Sequence, residues 1–134
     1  PLAGILAGAW AAHHSMLLVV AGDQPWLVPG VLRLLVMTAD AASRTGILGG
    51  RPEEIRARGA VLGAEGDLLP LPMAASREAV VEVGERMVRD GARTVRGLAT
   101  SLHALAVPEA AWRSIDPAGM TLRDVDRPED LAAG

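Results

Sequence analysis

The sequence predicts an α/β domain built around a mainly parallel sheet. A six-residue apolar run, Met16–Ala21, is bounded by turn residues, which is typical of a strand buried on both faces of a sheet. Segments with strand and helix character alternate along the chain, as expected when parallel strands are joined by helical crossovers. With 134 residues, the chain is long enough for one domain of ordinary size.

The first third of the chain contains two predicted helices on either side of this strand. Ile5–His13 is predicted to be a short helix that follows a loop containing a glycine. Pro29–Ser43 is predicted to be a longer helix, because apolar residues recur along it at helical spacing. Pro29 fits the first turn of that helix, where a missing N–H is tolerated.

The middle of the chain mixes strand and loop signals. Gly46–Gly50 and Ala60–Ala64 have strand character, and the polar residues 51–58 between them fit either a loop or one helical turn. Leu68–Ala74 contains two prolines. Because proline donates no ladder hydrogen bond, this segment is predicted to be at best an edge or irregular strand.

Two helices with clear capping signals follow. Ser76 is a predicted N-cap, and Gly91 is a predicted stop for the same helix. The predicted apolar face of that helix is Val80, Val83, Gly84, Met87 and Val88. Thr94 is a predicted N-cap for a second helix.

The end of the chain is predicted to add two strands and a helix. A short strand is expected near Ala106–Trp112, and a final strand at Thr121–Val125. Pro128 is predicted to begin a terminal helix with acidic residues in its first turn.

Composition excludes several classes of function. The 13 basic and 16 acidic residues give a net charge of −3, so there is no basic excess for nucleic-acid binding. There is no cysteine for disulfides or thiolate chemistry, and the longest apolar run is far shorter than the roughly 20 residues of a membrane span. All basic residues are arginine, so a phosphate-binding lysine is not available in this chain. We therefore expect a cytoplasmic protein whose partners include neither nucleic acid nor membrane.

Asp23 is the first candidate site residue. It follows the predicted buried strand in the run Gly22-Asp23-Gln24-Pro25, and ligands of open α/β sheets bind beyond the carboxyl ends of strands. Gly22 permits close approach of a ligand to the backbone. A carboxylate at this position suits Mg²⁺, which commonly takes one or two carboxylates together with water and substrate phosphates. The alternative is that Asp23 only caps the turn.

The second candidate lies in the tail. Asp124 and Asp126 are two residues apart, so they share a face if the chain is extended there. One or both could then approach the same metal or substrate. The alternative is that Asp126 caps the helix that begins at Pro128, which is the usual role of an aspartate before a helix.

Three segments also carry a family resemblance. They are Pro1-Leu2-Ala3-Gly4-Ile5, the run from Leu18 to Leu27 that includes Asp23-Gln24-Pro25, and the tail from Asp124 to Leu131. They resemble the G-P-L-A-G-I loop, the strand with its metal-binding Asp-x-Pro, and the N-x-N-T-P-E-D-L tail of the molybdenum cofactor guanylyltransferase family. The resemblance extends over the whole chain and implies the three-layer, Rossmann-like nucleotidyltransferase fold of that superfamily.

The sequence departs from the family pattern in two ways. The motif L-A-G-G-x-S-x-R-M-G-x-x-K, which forms the phosphate-binding loop of relatives and supplies a lysine, does not occur. We therefore expect the first strand and this phosphate loop, roughly a third of the domain, to be missing. Residues 1–134 would then be about the C-terminal two-thirds of one nucleotidyltransferase domain. In the tail, Asp126 and Arg127 replace the Asn-Thr of the family.

The resemblance implies transfer of GMP from GTP to the phosphate of molybdopterin, with release of pyrophosphate. It makes Asp23 the catalytic metal ligand, for Mg²⁺ or for Mn²⁺ in its place. The implied nucleotide- and acceptor-binding residues are Leu2, Ala3, Gly4, Gly22 and Asp126. GTP and molybdopterin are the implied substrates, and proteins of molybdenum cofactor biosynthesis or insertion are the implied partners.

Two other interpretations stay open. A sibling enzyme could use CTP or another phosphorylated acceptor, although Pro1-Leu2-Ala3-Gly4 favours the guanylyl branch over the cytidylyl branch. A truncated homologue without the phosphate loop could instead act only by binding. It would leave apolar sheet edges uncovered where the first strand belongs.

Overall fold

The computed structural model describes residues 1–45 and 56–132, so the predicted strand Gly46–Gly50 and residues 51–55 lie outside the described part. The helices of the described part are Leu2–Ala11 (α1), Pro29–Thr45 (α2), Arg77–Arg89 (α3), Val95–Ser101 (α4), Glu109–Arg113 (α5) and Pro128–Ala132 (α6). Its strands are Met16–Val19 (β1), Gly59–Ala64 (β2), Asp67–Ser76 (β3) and Leu105–Val107 (β4). Over these residues, no helix is both long enough and apolar enough to cross a membrane.

The described strands form one sheet in the order β1-β3-β2-β4. β3 is antiparallel to β1 and to β2, whereas β2 and β4 are parallel. Three of the four strands therefore point the same way, which confirms a mixed α/β fold with mostly aligned strands. The pairing differs from the prediction, because the one reversed strand lies between β1 and β2 and makes both of its own ladders antiparallel.

The proline-containing strand β3 is central, so its prediction as an edge or irregular strand is wrong. It is ten residues long and pairs with a strand on each side. The adjacent β2 residues Val61 and Leu62 pair with Met73 and Leu69, so residues 70–72 bulge out of that ladder. β1 pairs with β3 only from Met73 onward. Both prolines therefore lie where neither ladder requires a backbone donor.

Strand β1 is less buried than predicted. It ends at Val19, and Leu18 and Val20 are each 42% exposed, so the expectation of burial on both faces is wrong. The reason is its position, since among the described strands β1 has β3 as its single neighbour. An apolar cleft of about 510 Å³ runs along this open edge, and Gly4, Val19 and Val20 contribute to its lining.

Two apolar clusters on opposite faces of the sheet make the fold a three-layer structure, as predicted. In one cluster, side chains of α1, α3 and α4 pack on Val61 and Met73. In the other, side chains of α2 and the Trp112 ring of α5 pack on Ala60 and its neighbours on that face. Adjacent residues of β2 join different clusters because successive strand side chains point to opposite faces. Trp112 is fully buried, and its Nε1–H donates to the backbone oxygen of Gly63 at 2.9 Å.

The predicted helix caps are confirmed. The Ser76 hydroxyl accepts the N–H of Ala79 at 3.1 Å at the start of α3, and the Thr94 hydroxyl accepts the N–H of Gly97 at 3.0 Å at the start of α4. Gly91 follows α3 with φ of 83°, a left-handed conformation that glycine adopts without strain.

Most of the remaining element predictions are also confirmed. The helix predicted from Pro29 is α2, which extends two residues beyond Ser43. The strand predicted over Ala60–Ala64 is β2, and residues 56–58 before it have no regular structure. The short strand expected near 106–112 is β4, although most of that range is the helix α5. The terminal helix α6 begins at Pro128 as predicted.

Three details of the predicted elements are wrong. Val88 is 48% exposed and does not belong to the buried face of α3. Helix α1 begins at Leu2, three residues before its predicted start at Ile5. The predicted strand Thr121–Val125 is not a strand, because a 3-10 turn over Met120–Leu122 occupies its beginning.

Candidate active site

Asp23 lies beyond the carboxyl end of β1, in an exposed turn. The turn is closed by backbone groups, since the N–H of Gln24 donates to the oxygen of Ala21 at 3.2 Å. Within the described part of the chain, the Asp23 carboxylate makes no hydrogen bond or ion pair, so it does not cap this turn. It is a solvated carboxylate at the sheet edge where α/β folds bind ligands.

The C-terminal tail is joined directly to this turn. The N–H of Val125 donates to the backbone oxygen of Asp23 at 2.7 Å, a short hydrogen bond between residues about a hundred positions apart. Asp124 and Asp126 flank Val125 and are both exposed. The structure therefore brings both predicted acidic segments to one place, although the tail there is not the predicted strand.

The proposed cap role of Asp126 is wrong. Instead, Asp130 in the first turn of α6 accepts from the backbone N–H groups of Asp126 and Arg127, each at 3.0 Å. This is the returning half of a capping box, in which a residue three positions into the helix binds the N–H of the N-cap. The Asp126 carboxylate makes no hydrogen bond in the described structure and so is available to a substrate.

Asp116, a residue that the sequence reasoning missed, anchors the tail. It is 3% exposed, and its two carboxylate oxygens accept the N–H groups of Met120 and Thr121, each at 2.9 Å. The Thr121 hydroxyl in turn accepts the N–H of Val28, just before α2, at 3.2 Å. This network holds the 3-10 turn against α2 and so sets where the tail meets Asp23.

Electrostatics keeps the Asp116 carboxylate charged. Burial is the largest single influence and raises the pKa of Asp116, but hydrogen bonds from Thr121 and Met120 and the charge of Arg113 together outweigh it. The net result is a pKa below the ordinary aspartate value. No sequence motif signalled this role, because an isolated aspartate before a loop looks the same whether it is buried or solvated.

An aromatic contact lies beside the same turn. The Arg123 guanidinium is 5.1 Å from the ring centroid of Trp26, within the range of a cation–π interaction. Trp26 is three residues after Asp23, and Arg123 immediately precedes Asp124. The contact is a second link between the loop after β1 and the tail.

The first residues of the chain lie at this end of the sheet as well. The carboxyl end of α1 is held near the start of β1, because Arg77 donates from Nε to the Ala9 oxygen at 2.6 Å and from its backbone N–H to the Ser15 oxygen at 2.8 Å. The amino end of α1 is therefore at the opposite end of β1, where Pro1 and Val20 line the same cleft. Its first-turn N–H groups carry the positive partial charge that favours anions.

The loop predicted for Leu2, Ala3 and Gly4 is wrong, because these residues form the first turn of α1. Leu2 is only 1% exposed and packs in the core, so its side chain is structural. Ala3 and Gly4 are exposed, and Gly4 borders the apolar cleft. Their backbone N–H groups, rather than side chains, are what this segment offers to a ligand.

Gly22 and Gln24, on either side of Asp23, have different surroundings. A Cβ at Gly22 would have no neighbouring atom within 4 Å, so the space in front of this backbone is open. The Gln24 Oε1 atom is buried and has no hydrogen-bond partner among the described residues. An unpaired buried acceptor is destabilising by about 1–3 kcal/mol, so Gln24 is a candidate to accept a hydrogen bond from a ligand, and sequence reasoning did not single it out.

The acidic residues at this site fit a metal ion that takes some of its ligands from water and from the substrate. Among the described residues, no group of three or more His, Cys, Asp or Glu is placed to hold a metal ion. One free carboxylate at Asp23, with Asp124 and Asp126 on the neighbouring tail, suits Mg²⁺ or Mn²⁺ that completes its shell with water and phosphate oxygens. A metal that needs an all-protein cage does not fit these residues.

These features define a three-layer α/β protein with a carboxylate site at the carboxyl edge of its aligned strands. No protein-family model matches the chain, and no curated protein matches it. Among solved structures, the fold is similar to the crystal structure of molybdopterin-guanine dinucleotide biosynthesis protein A from Archaeoglobus fulgidus, with a TM-score of 0.74.

The likeness extends over nearly all of this chain and over part of the Archaeoglobus structure. The two chains are 21% identical, and the superposition covers 99% of this chain and 60% of the other. The chain therefore spans 60% of the length of that structure. At this identity the likeness establishes the fold alone.

Proposed function

We propose that the chain is the metal-ligand and acceptor side of a nucleotidyltransferase that transfers GMP from GTP to the phosphate of molybdopterin, releasing pyrophosphate. The observation that carries the proposal is the free Asp23 carboxylate at the sheet edge, joined to an acidic tail by the Val125 hydrogen bond. The family resemblance of the three motifs and the fold of the Archaeoglobus protein support it.

The residues present have separate tasks in this reaction. Asp23 would hold Mg²⁺, or Mn²⁺, which when bound neutralises phosphate charge and so helps two polyanions to meet. The amino end of α1 would place positive partial charge near the phosphates. Asp126 and the unpaired Gln24 oxygen would contact donor groups of the acceptor or the nucleotide base. Such catalysis depends on positioning and charge stabilisation more than on covalent help from the protein.

We further propose that this chain is about the C-terminal two-thirds of one nucleotidyltransferase domain. Strand β1 has an unpaired edge in the described structure, with Leu18 and Val20 exposed beside an apolar cleft. A strand of the same domain paired with this edge would bury those side chains and satisfy the free backbone groups. The matching share of the Archaeoglobus structure, 60% of its length, is consistent with such a division.

The test is pyrophosphate release by the full-length protein with GTP, molybdopterin and Mg²⁺. Asp23→Ala is expected to lower turnover by about 10³-fold without changing the fold, because it removes the metal ligand. Asp40→Ala, which removes a half-exposed carboxylate on α2 that pairs with Arg44, is the matched control and should keep normal turnover. Near-normal turnover by a folded Asp23→Ala protein would contradict the assignment.

The same assay separates the alternatives. Faster turnover with CTP than with GTP would favour the cytidylyl sibling, for which the residues offer no specific support. Binding of GTP without pyrophosphate release in the wild-type protein would favour the homologue that acts by binding.

A further inference from the structure

A second cleft, which is polar and has a volume of about 680 Å³, lies at the opposite end of the sheet from Asp23. Ser76 contributes to its lining and pairs with Met16, the first residue of β1, whereas Asp23 follows the last. Four strand residues span roughly 13 Å, so the two places are well separated. None of the residues that line this cleft takes part in the proposed transfer reaction.

Three arginines, Arg56, Arg58 and Arg86, line this cleft, and within the described part of the chain only Arg58 forms an ion pair. Arg58 donates from Nη2 to Glu82 at 2.7 Å. That hydrogen bond and the charge of Arg58, with a smaller contribution from Arg86, lower the pKa of Glu82 against the opposing effect of burial. Glu82 is therefore charged, and Arg58 is its ion-pair partner.

Among the described residues, neither Arg56 nor Arg86 forms an ion pair. The Nη2 group of Arg56 donates to the Ser43 backbone oxygen, and its Nε is buried without any acceptor among the described residues. Arg86 makes no ion pair within that same set. Glu78 also borders the cleft and makes no ion pair there, so the unpaired side chains are two positive against one negative.

The rim adds hydroxyl groups and an imidazole. Ser101 lines the cleft, and so does His103, two residues after the end of α4, with φ of 50°. The Ala104 N–H donates to the Ala99 oxygen at 3.1 Å across this turn, so the left-handed conformation of His103 belongs to the end of the helix. Among the described residues, the cleft therefore offers unpaired positive charge together with hydroxyl donors, which are the groups that bind an anion.

We propose that this cleft binds a small phosphate-bearing anion through Arg56 and Arg86. A phosphate group offers several oxygens at once, enough for two guanidinium groups and a serine hydroxyl, and guanidinium binds phosphate through paired hydrogen bonds. The site is independent of the proposed transferase activity, since it involves neither Asp23 nor the tail.

The experiment is a titration of the ¹⁵N-labelled full chain with inorganic phosphate and with pyrophosphate at constant ionic strength, followed by amide chemical shifts. Saturable shifts are expected at Arg86, Ser101 and His103. Arg86→Gln is expected to weaken binding by about tenfold or more, because it removes an exposed charge without disturbing the core. Arg89→Gln, on the same helix but outside the cleft, is the matched control and should bind like the wild type.

Several results would overturn the proposal. They are shifts confined to the Asp23 end of the sheet, equal affinity in the Arg86→Gln protein, and equal affinity for acetate, which would remove the phosphate specificity. Asp23→Ala should leave this binding unchanged. Loss of turnover in that variant with intact phosphate binding would support both proposals, whereas normal turnover with intact binding would remove only the transferase.

Discussion

Replacing Asp116 with Asn tests how the tail is held at the candidate active site. The side chain is 3% exposed and accepts two backbone N–H groups at 2.9 Å, from Met120 and Thr121. Asparagine has nearly the same shape, but its amide can accept only one of these hydrogen bonds. Its NH₂ group would face the other backbone N–H, which leaves two donors opposed in a buried place.

The expected loss of stability follows from these contacts. A hydrogen bond to a charged group contributes about 1.5–3 kcal/mol, and a buried group left unsatisfied adds about 1–3 kcal/mol. Because the two effects overlap, we expect Asp116→Asn to lower the free energy of unfolding by about 2–4 kcal/mol at pH 7. Asp40→Asn, which changes an exposed carboxylate paired with Arg44, should lower it by less than about 0.5 kcal/mol.

The pH dependence gives a second check with a definite sign. The pKa of Asp116 is lower in the folded protein than in the unfolded chain, so its stabilising contribution is fully present above about pH 4, the ordinary aspartate range. That contribution is lost as the pH falls through the folded-state pKa. The difference between wild type and Asp116→Asn should therefore be constant near neutral pH and should narrow in acid.

The assay is urea unfolding followed by tryptophan fluorescence, since buried Trp112 is adjacent to this network and its backbone oxygen accepts the Asp116 N–H at 3.0 Å. Unfolding midpoints are compared at equal m-values, so that a shift reports stability alone. A change smaller than about 0.5 kcal/mol at pH 7 for Asp116→Asn would refute the argument that this carboxylate anchors the tail.

Two further predictions concern the packing and capping of the fold. Trp112→Phe should lower the free energy of unfolding by about 2–3 kcal/mol, because it removes buried volume and the hydrogen bond to Gly63. Trp10→Phe, at an exposed position, should change that free energy by less than about 0.5 kcal/mol. Equal effects of the two substitutions in urea unfolding would contradict the role of Trp112 in the core. Ser76→Ala should destabilise by about 1 kcal/mol through loss of the cap on Ala79, and Ser76→Gly by only a few tenths, so a larger loss for glycine would show that the hydroxyl does not act as a cap.

Local chemistry explains what the sequence predicted well. Serine and threonine caps act on backbone groups two or three residues away, so Ser76 and Thr94 could be assigned without knowledge of the fold. The strand before Asp23 and the helix from Pro29 were likewise visible as local patterns of apolar residues. The position of Asp23 followed from the general rule that ligands bind beyond the carboxyl ends of aligned strands.

Features that depend on distant partners were not visible. The prolines of β3 argue locally for an edge strand, yet the strand is central, because a bulge over residues 70–72 removes the need for donors there. The exposure of Leu18 depends on which strands flank β1, and the role of Asp116 depends on a turn that returns to it. Such outcomes are decided by pairing and burial between distant segments.

The sequence by itself therefore determined the α/β class, the helix caps and the placement of Asp23, because these follow from backbone preferences over a few residues. Only the tertiary structure decided that β3 is central, that Leu2 is core, and that the tail is joined to the Asp23 turn through Val125. The physical reason is that a hydrogen bond or an apolar contact between residues distant in sequence depends on how the whole chain folds and packs.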